Sequence, residues 1–492
     1  MKLRYLISIS IAGAMTFASC SKQDISKSGE VSPTTGLPYN NAESGGFEVV
    51  ADYQSKEGPG LVFIEGGSFT MGRVEQDLSY DWNNQPRRVS VSSFYLDETE
   101  VRNVDYREYL FWLSRVFQEY PAVYKKALPD TLAWRSKLAY NEPYVMYYFR
   151  HPAYNEYPVV GVSWTQAMDY CAWRSDRVNE KILIDEQFLK PDPQQAGDQN
   201  FNTDAYLVGQ YDGLVGNPKT TVNGTERKIQ LEDGLLLPKY RLPTEAEWEF
   251  AAYSLIGNSF DERIYERRIY SWNGQTLRND ESKIRGKMRA NFIRGRGDYM
   301  GTAGDLNDNA EITAPVKSYW PNDYGLYSMS GNVNEWVMDV YRPLSSEDVD
   351  EFRPFRGNVF TEVDRDEEGN VAPKDSLGRI KYHPIKPETA AGRKNYTQSD
   401  YRNYKDGDIN SSLDYSSEGD KVKTGSQRMY AQNQQDMSSL ITDNVRVYKG
   451  GSWKDRAYWL SPGTRRYLDE NASKDDLGFR CAMDRVGSPK GF

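Results

Sequence analysis

Cysteine and histidine are the scarce residues of this 492-residue chain, which has three of the first and two of the second. Two isolated histidines, His151 and His383, exclude a histidine-rich iron or zinc centre and leave a Ser-His-Asp arrangement without a convincing base. Both read as structural or surface residues. No apolar run is long enough to cross a bilayer. A formal net charge of −10 argues against nucleic acid as a partner. Carboxylates are plentiful, yet Asp364-Arg-Asp-Glu-Glu368 reads as a solvated charged loop rather than a tuned acid/base pair. Arg296-Gly-Asp298 matches a short adhesion tripeptide, a coincidence that three common residues produce often.

Aromatic residues are abundant. Thirty-six tyrosines and 11 tryptophans favour broad aromatic packing or contact surfaces. Each cysteine has a reading. Lys2 and Arg4, the short apolar run Leu6 to Phe17, and Ala18-Ser19-Cys20 form a secretory leader, residues 1–19, that resembles a bacterial lipobox. The mature chain is then expected to begin at an acylated Cys20, because stable attachment needs more than one acyl chain. Ser21 and Lys22 follow instead of an inner-membrane retention Asp, so the expected place is the outer membrane, lipid-anchored and facing the periplasm. Residues 20–57 read as a flexible tether: Ser, Gly, Pro, Thr and charge dominate, with no helical or alternating period.

The body begins at 58. Leu61-Val-Phe-Ile-Glu-Gly-Gly-Ser-Phe-Thr-Met-Gly72 predicts a strand, a Gly-Gly turn and a second strand, and Val89 to Leu96 predicts another. Asn103 to Phe117 predicts a helix with Tyr106, Tyr109, Leu110 and Leu113 on one face. Ser163-Trp-Thr-Gln166 and Thr244-Glu-Ala-Glu247 are capping boxes, each opening a helix.

Eight motifs follow in order: Phe63-Ile-Glu-Gly-Gly-Ser-Phe-Thr-Met-Gly72, Glu100-Val101, Pro158-Val-Val-Gly-Val-Ser-Trp164, Tyr170-Cys-Ala-Trp173, Arg241-Leu-Pro-Thr-Glu-Ala-Glu-Trp-Glu249, Gly325-Leu-Tyr-Ser-Met-Ser-Gly-Asn-Val-Asn-Glu-Trp336, Gly450-Gly-Ser-Trp453 and Leu477-Gly-Phe-Arg-Cys481. Together they resemble the formylglycine-generating-enzyme, or sulfatase-modifying-factor, domain over about residues 60 to 485. The resemblance implies an α+β fold, irregular, loop-rich and related to C-type lectins. The domain is expected over 58–485 with a C-terminal tail at 486–492.

In the active family a pair of cysteines between the Gly-Gly-Ser-Trp and Gly-Phe-Arg-Cys motifs binds copper(I), an ion that soft thiolates suit. Lys454 to Arg480 contains no cysteine. The expectation is therefore no catalysis of that kind, no catalytic residue and no required cofactor. The resemblance further implies a Cys171–Cys481 disulfide, in keeping with an oxidising compartment. It also implies two structural calcium positions, one on Asn291, Phe292, Asp308 and Ala310, the other on Ser328, Gly331, Val333 and Glu335. Oxygen ligands suit that hard ion, although Ser328 stands where Asn or Asp is usual.

Two polar insertions, 175–239 and 340–445, separate motifs that lie close together in ordinary members, and loops of that length are commonly functional. Val359 to Val363 and Arg379 to His383 could pair as a hairpin that packs on a partner. Anchor, missing thiols and insertions together look like the GldK/PorK family of the type IX secretion system. That resemblance implies a structural subunit that self-associates into a periplasmic ring with a GldN/PorN-type partner protein, in contact with an outer-membrane protein and serving export and gliding. The related lipoprotein GldJ and a lectin-like binder of glycan or peptidoglycan are the other readings.

Overall fold

A computed structural model describes residues 31–50, 53–73, 83–255, 268–295, 307–342, 355–357, 361–384 and 444–487. The leader, Cys20, Arg296–Asp298 and all of 385–443 lie outside the described residues. The chain divides into two compact units: a small one of residues 1–53 with 220–227, and a large one of 54–219 with 228–492.

In the small unit, Asn40 both donates to the Val49 carbonyl (3.1 Å) and accepts from the Val49 N–H (2.9 Å). Asn41 caps the short 3-10 helix Ala42–Ser44, and Glu48 pairs with Arg227 at 2.8 Å. The expectation of an unordered tether over 20–57 is therefore corrected for residues 31–50. Their polar side chains satisfy the local backbone, a route to order that composition does not report.

The large unit is built on two four-stranded sheets. One runs Leu61–Ile64, Phe94–Asp97, Ala482–Asp484, Tyr240–Arg241, all antiparallel. The other runs Arg466–Asp469, Val445–Lys449, Asn334–Val340, Leu477–Gly478, with the last strand parallel. Gly67–Met71 pairs separately with Arg87–Val91. The Gly-Gly turn is confirmed, and its first glycine has a steric reason: a Cβ on Gly66 would lie 2.4 Å from the Val91 carbonyl oxygen. The single strand expected over Val89 to Leu96 is corrected to two strands in different sheets. Phe94 to Leu96 are all buried, so they belong to a strand covered on both faces, where alternation does not hold.

The helix Asn103–Val116 buries Tyr106, Tyr109, Leu110 and Leu113 as expected. Both capping boxes form. Ser163 Oγ accepts from the Gln166 N–H (3.2 Å) while Gln166 Oε1 accepts from the Ser163 N–H (2.9 Å), opening Trp164–Asp185. Thr244 and Glu247 do the same at 3.2 and 2.8 Å, opening Glu245–Tyr253. Tyr106, Tyr109, Tyr170 and Phe479 pack at ring-centroid distances of 5.4 to 6.4 Å, which puts much of the aromatic excess in the core.

The segment 175–239 begins inside the helix Trp164–Asp185, and the part of it in the large unit, up to 219 and from 228, folds around Leu183, Leu189, Phe201, Tyr206, Tyr211, Ile229 and Leu236. The expected hairpin forms as Thr361–Val363 with Tyr382–Pro384. It does not await a partner on that side. Asn200 donates to the Leu377 carbonyl (2.8 Å), Gln210 to the Val371 carbonyl (3.1 Å), and Tyr382 to Asp204 (3.0 Å). The two polar segments thus cover each other through side-chain to backbone bonds.

Candidate functional site

The turn Gly450-Gly-Ser-Trp453 leaves the strand Val445–Lys449 with both glycines at positive φ, 100° and 73°. A Cβ on Gly450 would stand 3.1 Å from the Trp248 ring, and one on Gly451 2.9 Å from the Trp459 backbone. Only glycines let the chain turn so close to both, and the turn aims Ser452 and Asp455 inward.

Beyond this turn stands an ionic plug. The Asp455 carboxylate accepts from both Arg466 Nη atoms (2.8 and 2.7 Å), from Ser452 Oγ (2.6 Å) and from Asn334 Nδ2 (3.2 Å). The Arg466 guanidinium lies 4.4 Å from the Trp459 ring centre and 5.0 Å from that of Tyr448. Burial opposes ionisation of Asp455, but the bonds and charge of Arg466, with Ser452 and Asn334, hold its carboxyl below the usual range. Asp476 accepts from Ser452 (3.1 Å) and Asn334 (3.2 Å), and burial pushes its carboxyl up. An anion tied to guanidinium is neither a nucleophile nor a soft metal ligand.

Beside the plug is a half-open cleft of about 460 Å³ lined by Trp134, Arg135, Tyr144, Glu311, Trp453 and Lys454, among others. Trp134 stacks on Trp453 at 6.0 Å, and Lys454 pairs with Asp475.

Deeper in the unit the structure joins Glu335, of the second implied calcium set, to motif residues with no role assigned from the sequence. Arg480 makes a two-pronged bond to Glu335, 2.6 Å on each side, and donates to the carbonyls of Asp97 (3.1 Å) and Tyr327 (2.8 Å). Trp248 Nε1 adds a 2.7 Å bond to Glu335. Glu100 accepts from Asn332 Nδ2 (3.0 Å) with one oxygen, and its other oxygen is buried with no partner. Burial drives the Glu100 carboxyl up to about 8, with Arg480 opposing and Glu335 reinforcing the shift. A second buried cluster sets Lys449 against Glu249 (2.7 Å) and Glu245 (3.2 Å), with Arg465 on Glu245 at 2.8 Å. The signal for the first lay in the charged letters of the Glu100-Val101, Asn334-Glu-Trp336 and Phe479-Arg-Cys481 motifs, and for the second in Glu245 and Glu249 of the Arg241–Glu249 motif.

Cys171 and Cys481 meet, both buried, with Sγ atoms 3.3 Å apart, as two thiols. Burial, then the neighbouring Cys171, pushes the Cys481 thiol well up, so Cys481 is not a ready nucleophile. The first calcium set is brought together: Asp308 accepts from the N–H groups of Phe292 (3.2 Å) and Ala310 (3.3 Å), and Asn291 lies in the same buried loop, bonded to the Ile312 carbonyl (2.8 Å). The second set, Ser328, Gly331, Val333 and Glu335, has one carboxylate, that of Glu335. Both Glu335 oxygens are committed to Arg480 and Trp248, so a cation there would compete with a buried guanidinium. Among the described residues, no three His, Cys, Asp or Glu side chains converge as a metal site. His151 caps Pro152–Tyr154 by accepting from the Ala153 N–H (3.2 Å). His383 sits half-exposed between Asp364 and Glu362 on the hairpin.

These features define a mixed α/β domain whose core is tied by buried ion pairs and whose Gly-Gly-Ser-Trp turn leads into a paired carboxylate and guanidinium. The chain belongs to the family of the sulfatase-modifying factor enzyme 1-like domain, which residues 46–382 match. Its last two motifs lie beyond that match, yet they adjoin strands of both sheets: Gly450 follows Val445–Lys449, Leu477–Gly478 is itself a strand of the same sheet, and Cys481 leads into Ala482–Asp484 of the other. The chain is 24% identical to the formylglycine-generating enzyme of Mus musculus over 303 residues, 57% of this chain and 58% of that protein. It is 25% identical to the inactive C-alpha-formylglycine-generating enzyme 2 of the same organism over 313 residues, 59% of this chain and 71% of that protein. It thus spans less than two thirds of the length of the mouse enzyme. The solved structure of PvdO from Pseudomonas aeruginosa aligns over 86% of this chain and 94% of its own, with 15% identity and a TM-score of 0.40.

Proposed function

We propose that this chain is a non-catalytic structural subunit, anchored by an acylated Cys20 in the outer membrane and facing the periplasm. It self-associates into a ring with a GldN/PorN-type partner and serves type IX protein secretion and gliding. The observation that carries the non-catalytic part is the Asp455–Arg466 plug in the interval where the family resemblance expects copper-binding thiols. Kinship with an inactive member of the family supports the same reading. The anchor, partner and insertion parts rest on the resemblance drawn from the sequence. Detergent extraction of membranes followed by native mass measurement should yield a large assembly containing a second protein. A strictly monomeric chain would sink the ring. Copper(I) uptake with oxidation of a cysteine peptide would sink the non-catalytic part.

An oxidised Cys171–Cys481 pair and a structural calcium on Asn291, Phe292, Asp308 and Ala310 belong to this reading. A bond spanning 310 residues of sequence restricts the unfolded chain by ~4 to 5 kcal/mol on the entropy argument. Protein isolated from the periplasm should therefore show no free thiol at these positions under denaturing, non-reducing conditions, and its unfolding midpoint should drop on reduction. Two alkylatable thiols in that material would contradict the bond.

The cleft at Trp134, Tyr144 and Trp453 favours a second reading, a lectin-like binder of cell-wall glycan, since aromatic faces with charged groups at the rim suit sugars. Retention on peptidoglycan by the purified chain, lost in Trp453→Ala, would favour it over the ring.

A further inference from the structure

Residues 135–140 are six consecutive exposed positions at the turn between the 3-10 helix Thr131–Trp134 and the helix Glu142–Tyr147. Leu138 is 109% exposed and Tyr140 83% exposed. Leu138 also stands at φ +62°, a left-handed conformation that is unfavourable for a residue with a Cβ. A leucine in that backbone, wholly in water, gains nothing from the fold around it.

The turn is nonetheless firmly held. Arg135 bonds Glu142 through two nitrogens at 2.8 and 3.2 Å, Asn141 donates to the Trp134 carbonyl (2.9 Å), and the Ala139 N–H donates to the Ser136 carbonyl (3.2 Å). Beneath it Trp134 is buried against Tyr148 and Trp453. Arg135, Ser136, Ala139 and Asn141 line the cleft, whereas Lys137, Leu138 and Tyr140 do not. The turn therefore has a polar inner side and an apolar, cationic outer side.

Charge sets the kind of partner. Residues 121–151 contain Lys125, Lys126, Arg135, Lys137 and Arg150 against only Asp130 and Glu142, within a chain whose net charge is −10. Among the described residues Lys125, Lys126 and Lys137 enter no ion pair, while Arg135 is held by Glu142. Protein-binding sites centre on flat or concave, closely complementary surfaces. An exposed tip of Leu138 and Tyr140 with Lys137 beside them instead matches the interfacial pattern of a lipid surface, where aromatic and aliphatic groups enter the headgroup layer and lysine meets anionic phosphate.

We propose that the 135–140 turn is a second membrane contact, inserting Leu138 and Tyr140 into the headgroup region of a bilayer that contains anionic phospholipid. It is independent of the acyl anchor and of the ring. The test uses the chain from residue 20 onward with Cys20→Ser, which keeps every described residue and removes the acyl groups. Vesicles of phosphatidylcholine with roughly a third phosphatidylglycerol should float the protein and slow amide exchange at 135–140, whereas pure phosphatidylcholine should do so much more weakly. Leu138→Asp with Tyr140→Asp should lower binding about tenfold or more, and Lys137→Glu should lower it several-fold, with melting curves unchanged because these side chains are exposed. Absence of binding, or binding that these variants leave intact, would overturn the proposal. So would a Leu138-dependent capture of a protein partner with no protection of 135–140 by vesicles.

Discussion

Arg480→Met is expected to destabilise the large unit by about 3 to 5 kcal/mol, the range for removing one partner of a buried ion pair. Arg480 and Glu335 are both 0% exposed, and Glu100 beside them is 1% exposed. Methionine fills similar volume but leaves Glu335 ionised without a cation, or forces it to take up a proton, and frees the carbonyls of Asp97 and Tyr327. Those carbonyls belong to separate stretches of chain, so the loss falls on their joint as well as on one pair. Against a net stability of roughly 5 to 15 kcal/mol for a folded domain, this is enough to leave a sizeable unfolded fraction. Urea unfolding should show a lower midpoint with unchanged slope. Arg480→Lys should recover little, because an ammonium cannot reproduce the two-pronged bond. Adding Glu335→Gln to Arg480→Met should recover part, by removing the stranded charge. A variant Arg480→Met within about 1 kcal/mol of the parent would show that the pair is not a structural tie.

That tie illustrates what local sequence carries and what it does not. The helix Asn103–Val116 and the two capping boxes were legible because their signals lie within four residues, and the structure forms each of them. Arg480 was visible only as a motif letter. Its contacts at Asp97 lie 383 positions away and at Glu335 145 positions away, and no periodicity encodes such a pairing. The division of Val89 to Leu96 into two strands was missed for a related reason: burial on both faces of Phe94–Asp97 depends on which sheet it joins. In the polar segments, the stabilising bonds run from Asn200 and Gln210 to backbone carbonyls, so a composition poor in aliphatics concealed a surface already covered. At the candidate site, the pairing of Asp455 with Arg466 and Asn334 was not legible, since these residues meet only through the sheet.

The same buried carboxylates that make Arg480 important should give the protein an unusual pH profile, losing stability from about pH 5 to pH 8. The Glu100 carboxyl is raised to about 8, first by burial. That of Asp339 is raised to about 7, again first by burial and then by Glu245. In the unfolded chain both titrate near ~4. Between those limits the folded state holds more protons than the unfolded state, so the free energy of unfolding falls as pH rises. The stability tied to these protons is fully present below the unfolded values and is lost through the folded ones. An acid limb runs the other way. Asp455 is held low by Arg466 against its burial, and Glu245 by Arg465 and Lys449 against its own; their contribution disappears as pH falls through their depressed values. The optimum should therefore lie near pH 5, below the neutral range. Glu100→Gln keeps the acceptor facing Asn332 and has no proton to lose, so its unfolding free energy should decline less steeply between pH 5 and 8 and exceed that of the parent by several kcal/mol at the upper end. Urea midpoints measured at intervals across that range decide it: a flat or rising profile in the parent, or an undiminished slope in Glu100→Gln, would place the buried proton elsewhere.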